Sequence, residues 1–160
     1  MNVILQDIAK VDTGALIVGF YEDVRPLKGF AGELDWLLCG SLSRLLLEKK
    51  LRGVLGDVAL LTTQGKVPAS MIFMIGLGRR GESLPATLQS AAKTAAASAV
   101  RAGVTTAAVE YFPDSGISYK EGVCAMFEGL REGAGGRGLA VALLARDAAV
   151  YENVSRFIKV

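Results

Sequence analysis

The sequence predicts a three-layer α/β/α domain built on a mixed central sheet. Runs of strand-forming residues alternate with helical patterns, and most of the strands are apolar throughout, as strands covered on both faces are. The turn-rich link Gln64-Gly65-Lys66-Val67-Pro68 is short enough for a hairpin, which makes the sheet mixed rather than wholly parallel. The pair of strands that opens the chain also suggests a mixed sheet.

Asn2–Ile8 reads as the first strand and Gly14–Phe20 (GALIVGF) as the second. Tyr21–Phe30 is a loop with Pro26 and Gly29, and one helix is expected from Gly32 to Lys50. Leu34, Leu38, Leu42, Leu45 and Leu46 give that helix a stripe for the sheet. Trp36, Cys39, Ser43 and Leu47 form a second stripe; at 100° per residue, Trp36 lies about 160° from Leu34. A helix apolar on two faces is either covered by another segment or offers one face to a partner, and both readings stay open. Gly40 in mid-helix costs about 1 kcal/mol relative to alanine, a sign of close packing.

Strands Asp57–Thr63 and Ser70–Leu77 flank the hairpin link. Ser83 is the expected N-cap of the next helix, with Pro85 in its first turn and Gly103 closing it. Thr105–Phe112 follows as a strand, stopped by Pro113-Asp114-Ser115-Gly116. Tyr119–Glu132 is helical, with Val123, Met126, Phe127 and Leu130 spaced for one face. The loop Gly133–Gly138 leads to a last strand, Leu139–Ala145. Asp147–Val160 is expected to be helical, burying Val150, Val154, Phe157 and Ile158.

The chain has 160 residues, 51% of them hydrophobic, and reads as a single domain over 1–160. It has 18 Lys+Arg against 16 Asp+Glu and no histidine. That excludes Ser-His-Asp and Cys-His catalysis, histidine metal ligation and an imidazole switch. A net charge of +2 and dispersed arginines give little field for nucleic acid or an anionic membrane. The start Met1-Asn2-Val3-Ile4-Leu5 has no signal-peptide pattern and no run reaches membrane-span length, so a soluble cytoplasmic protein is expected. Cys39 and Cys124 lie in apolar helical patterns and read as buried, inert thiols.

Two glycine-rich stretches could hold a ligand. Gly76-Leu77-Gly78-Arg79-Arg80-Gly81 has the GxGxxG spacing of a dinucleotide turn. The helix starts too late for Gly81 to pack it, however, and Glu110 stands 29 positions beyond Gly81 instead of about 20. A structural strand-end turn is the better reading. Gly135, Gly136 and Arg137 could form an anion nest, or simply a helix C-cap and turn. Metal ligation would rest on carboxylates such as Glu22, Asp23, Glu33 and Asp35, which a solvated helix start explains equally well. No metal site, cofactor or catalytic residue is assigned.

The order of GALIVGF, the leucine-rich helix, Gly65-Lys66-Val67-Pro68-Ala69, Gly76-Leu77-Gly78 and an alanine-rich helix resembles the N-terminal domain of M17-type leucyl aminopeptidases. The likeness is strongest from Gly14 to about Ala108. It implies a macro-domain-like fold, with the metal ligands and catalytic residues in a separate C-terminal domain. The catalytic stretch Asn-Thr-Asp-Ala-Glu-Gly-Arg is absent, so no catalytic residue carries over. The expectation is a stand-alone, non-catalytic module for assembly or regulation, with a protein partner or its own copies as partner. Trp36, Cys39, Ser43 and Leu47 are its candidate interface. The alternative is a macro-like domain binding ADP-ribose or a nucleotide through Gly76, Gly78, Gly135, Gly136 and Arg137.

Overall fold

The computed structural model describes residues 1–113 and 116–158. Six strands form one sheet, β1 (Asn2–Leu5), β2 (Ala15–Phe20), β3 (Val58–Thr62), β4 (Met71–Gly76), β5 (Thr106–Glu110) and β6 (Ala140–Ala145). Their spatial order is β1-β6-β5-β2-β4-β3. Five are mutually parallel, and only β3 runs antiparallel, against β4. The expected hairpin is therefore the sole source of mixing. β1 and β2 are not neighbours: each finds its parallel partners much later in the chain.

Helices cover both faces. On one lie α3 (Pro85–Arg101), α4 (Tyr119–Ala134) and α5 (Ala148–Ser155), over Ile17, Phe73, Ile75, Val109 and Leu143. On the other lie α1 (Gly29–Leu37) and α2 (Ser41–Leu47), over Leu16, Val18, Ile72, Met74 and Leu144. Alternate residues of β2 feed opposite cores, which is why its sequence shows no polar alternation. β1 ends at Leu5, short of the expected Ile8, and the chain then makes a 3-10 turn, Ile8–Lys10, which Asp7 caps by accepting from Ala9 N–H.

The single helix expected over 32–50 is two helices. Cys39 and Gly40 both have positive φ (56° and 80°), which breaks the α-helical ladder after Leu37. Asp35 bridges the break: its carboxylate accepts from the Ser43 N–H at 3.0 Å and from the Ser43 hydroxyl. The leucine stripe survives the break, with Leu34, Leu38 and Leu42 buried.

The start of α3 also differs. Leu84, not Ser83, is the extended residue ahead of Pro85, and its N–H donates to the Thr87 hydroxyl at 2.9 Å. Gly103, with φ of 77°, follows the C-cap as expected. In α4, Ser118 and Glu121 form a reciprocal capping box. Val123, Met126 and Leu130 are buried, but Phe127 points out to solvent. Gly133 and Ala134 belong to α4 itself, and Gly135 ends it in the left-handed conformation. α5 is shorter than expected, burying Val150 and Val154, with Phe157 exposed. Asp114 and Ser115 of the expected turn, and Lys159 and Val160 of the expected tail helix, lie outside the described residues. Both cysteines are exposed free thiols rather than buried ones.

Candidate functional site

In a parallel sheet all the carboxyl ends open at one side, and a crevice forms where the chain leaves two adjacent strands in opposite directions. Here that point lies between β2 and β5. The chain leaves β2 through α1 and α2 toward β4, and leaves β5 through α4 toward β6.

A crevice of about 150 Å³ occupies this place, lined by Gly19, Phe20, Lys28, Glu110, Phe112 and Arg146 among others. Gly19 N–H, at the end of β2, donates to Glu110 Oε2 at 2.9 Å. A Cβ on Gly19 would lie 2.6 Å from Leu77 Cδ1 and 3.0 Å from Phe112 Cδ1, so a larger residue there would force those side chains to move. Phe112 N–H is turned inward, 3.4 Å from Met126 Sδ. Arg146 donates to the Pro113 carbonyl at 3.3 Å.

The strand-end loops are tied to one another. Leu77 N–H donates to Phe20 O, Glu22 N–H to Gly78 O, and Gly78 N–H to Gly53 O, each at 2.9 Å. Gly76 lies so close to Val54 O that a Cβ there would overlap it. Arg79 pairs with Glu22 at 3.1 Å, and Asp23 accepts from Arg80 N–H at 2.9 Å. Gly76 and Gly78 thus stand at the crevice end of the sheet with structural duties, and Glu22 and Asp23 hold the β4 loop. Asp35 holds the α1–α2 break. Among the described residues, no three His, Cys, Asp or Glu come together as a metal site.

Gly135, Gly136 and Arg137 precede β6, at the amino end of the sheet. They are at the opposite end from Gly76 and Gly78, so the two glycine-rich stretches cannot share a ligand. Gly136 and Arg137 line a different, open groove with Met1, Phe127 and Leu130. The expected interface residues differ in exposure. Trp36 is 85% exposed and Leu47 84%, Cys39 is exposed, and Ser43 is half-buried on Asp35. The helix break removes the continuous stripe that helical periodicity had drawn through them.

Beside the crevice, Tyr111 is 5% exposed and stacked on Tyr119, with ring centroids 6.0 Å apart. Burial pushes its phenol well above the ordinary tyrosine range, Tyr119 adds to this, and Arg146 opposes it. It is a neutral phenol at any physiological pH, and its hydroxyl is buried with no hydrogen-bond partner among the described residues. A Cβ on Gly122 would collide with that hydroxyl.

A wider, shallower groove of about 790 Å³ runs beyond Arg146, between Leu5, Ile8, Phe30 and Trp36. Small-molecule sites usually enclose about 300–1,000 Å³ and bury most of the ligand. The crevice is below that range, and the groove meets it in volume but not in enclosure. Lys28, Arg80 and Arg146 outnumber Glu110 among the charged residues that line the crevice. Glu110, too far along the chain from Gly81 for the acidic residue of a dinucleotide site, instead accepts from Gly19 N–H. Gly19, Phe112 and Arg146 escaped notice because only the strand order brings them together.

A family model for the cytosol aminopeptidase family, N-terminal domain, matches residues 17–134. A probable cytosol aminopeptidase of Geobacter sulfurreducens is 33% identical over 109 residues, which are 68% of this chain and 22% of that protein. One from Glaesserella parasuis is 40% identical over 75 residues, 47% of this chain and 15% of its own length. The chain thus spans about a fifth of the curated relatives it matches. An Oceanobacillus iheyensis macrodomain with ADP superimposes with a TM-score of 0.75 at 11% identity, covering 97% of this chain and 87% of that one. A mutant tomato leucine aminopeptidase gives 0.70 at 20% identity, covering 96% of this chain and 34% of that one. At these identities the structural likeness establishes the macro-domain-like fold.

Proposed function

The chain belongs to the cytosol aminopeptidase family, as its N-terminal domain, and on that premise we propose that it serves an aminopeptidase as a non-catalytic assembly or regulatory module. Residues 1–160 are read as one such domain, working in the cytoplasm with a protein partner or with its own copies. The relatives' description as cytosol aminopeptidases supports that location. No helix among the described residues is long and apolar enough to cross a membrane.

The observation that carries this reading is the crevice at the β2–β5 strand ends. Where such folds offer a ligand site, this chain places Glu110, Phe112 and Leu77 against Gly19 and leaves about 150 Å³. Large apolar side chains stand out in solvent instead, Trp36, Leu47 and Leu60 among them. A leucyl-anilide substrate supplied with Mn²⁺ or Zn²⁺ is expected to give no turnover with the purified chain. Steady release of the amine that scales with protein concentration overturns the reading.

A second reading is favoured by one observation, the superposition on a macrodomain with ADP. It makes the chain a binder of ADP-ribose or a nucleotide at the same strand ends. Calorimetric titration with ADP and ADP-ribose separates the two. The crevice volume predicts no heat, and saturable binding that is lost in Gly19→Val would establish the second reading.

A further inference from the structure

β3 is the outermost strand of the sheet, and among the described residues its only ladder is with β4. The pairing register assigns its free edge. Gly76 N–H donates to Asp57 O, and the register pairs Ala59 with Met74 and Leu61 with Ile72. In an antiparallel pair the hydrogen-bonded residues alternate, so Asp57, Ala59 and Leu61 bond inward. The N–H and C=O groups of Val58, Leu60 and Thr62 therefore point away from the sheet.

The side chains of those same three residues are exposed, Leu60 at 56%. They share the face that carries α3, whereas Ala59 and Leu61 pack toward α2. An exposed edge is ordinarily protected by a lysine, a proline, a bulge or an inward charge. Val58-Ala59-Leu60-Leu61-Thr62 has none of these. The nearest carboxylate, Asp57, is paired with Arg52 at 3.3 Å.

We propose that this edge pairs antiparallel with β3 of a second copy of the chain, across a two-fold axis at Leu60. The segment complements itself about that axis. Leu60 faces Leu60 of the other copy and Val58 faces Thr62, so each outward donor meets an outward acceptor. No charge in 58–62 is brought against its like. The axis is perpendicular to the sheet, so both α3 helices lie on one side and the two Leu60 side chains meet between them. The sheet becomes continuous through twelve strands. Five-residue edges make an interface at the small end, below about 1,200 Å², where association is reversible and concentration-dependent.

Sedimentation equilibrium on the full chain, from 5 to 500 μM as a practical span, is expected to show a monomer–dimer equilibrium. Leu60→Lys should weaken dimerisation at least tenfold with an unchanged melting curve, because the side chain is largely exposed. Thr62→Pro removes only an outward N–H and should do the same. Trp36→Ala should leave the dimer intact. A monomer throughout, or a dimer lost in Trp36→Ala and kept in Leu60→Lys, overturns the proposal. The inference rests on the edge alone, so a monomeric result leaves the aminopeptidase-linked reading standing.

Discussion

The two helical layers of this domain solve the same packing problem in opposite ways. α3 and α4 are long, 17 and 16 residues, and approach so closely that Gly129 and Gly133 abut the carbonyl oxygens of Gln89 and Lys93. Ala92 and Ala96 face them. α1 and α2 have nine and seven residues, neither has a side-chain N-cap, and a left-handed turn separates them. What holds them is bulk: Phe30, Leu34, Leu38 and Leu42 sunk into the sheet. One layer is held by the absence of side chains and the other by their presence. The first should resist additions and the second deletions.

The largest effect is expected from deletion in the bulky layer. Leu42→Ala removes a side chain with no exposed surface and should cost about 2–5 kcal/mol, read by urea denaturation. A loss under about 1 kcal/mol would show that α2 can collapse into the space, and would break the contrast. Next comes addition to the close-packed layer. Alanine ordinarily favours a helix over glycine by about 1 kcal/mol, yet Gly129→Ala should destabilise by about 1–3 kcal/mol because its methyl meets backbone. A stabilised variant would mean that the helices can part at little cost.

Loss of the cap at the head of α4 is smaller. Ser118→Ala should cost about 1 kcal/mol, read by urea denaturation. The smallest effect is in the acid limb of stability. Ser118 holds the Glu121 carboxyl below its usual range, and Gln89 and then Lys93 do the same for Glu132. Both groups hold protons less tightly in the folded state. Their contribution is complete above the ordinary carboxylate range and is lost as pH falls through the lowered values. Glu132→Gln should flatten the acid limb by lowering stability slightly at pH 7, where the contribution is complete, and converging with the parent at low pH. An acid limb identical to the parent's would separate these carboxylates from stability altogether.

The same contrast explains what could be read from residues alone. GALIVGF announced a strand covered on both sides, and β2 is one, because burial on two faces leaves a local signature. The leucine spacing placed α1 and α2 against the sheet correctly. It also hid the break at Cys39–Gly40, since the stripe runs through a left-handed turn that no periodicity detects. Gly40, read as close packing, is open to solvent on its Cβ side; its positive φ is the reason for glycine there. Ser83 lost the cap to Leu84 because Pro85 fixes the preceding residue as extended. The candidate site was the least legible part. Gly76 and Gly78 were found as a motif, but Gly19, Phe112 and Arg146 acquire meaning only from strand order, which is not a local property.

The hydrogen bond from Gly19 to Glu110 spans 91 positions of the chain. In kinetic terms it closes one of the longest loops the fold contains, and loop-closure entropy must be met before any contact across it is rewarded. The β3–β4 hairpin, with a turn of eight residues between Thr62 and Met71, can form early and by itself. The crevice cannot. No fragment that stops short of β5 possesses it, so its appearance during folding reports completion of the central sheet rather than of any local segment.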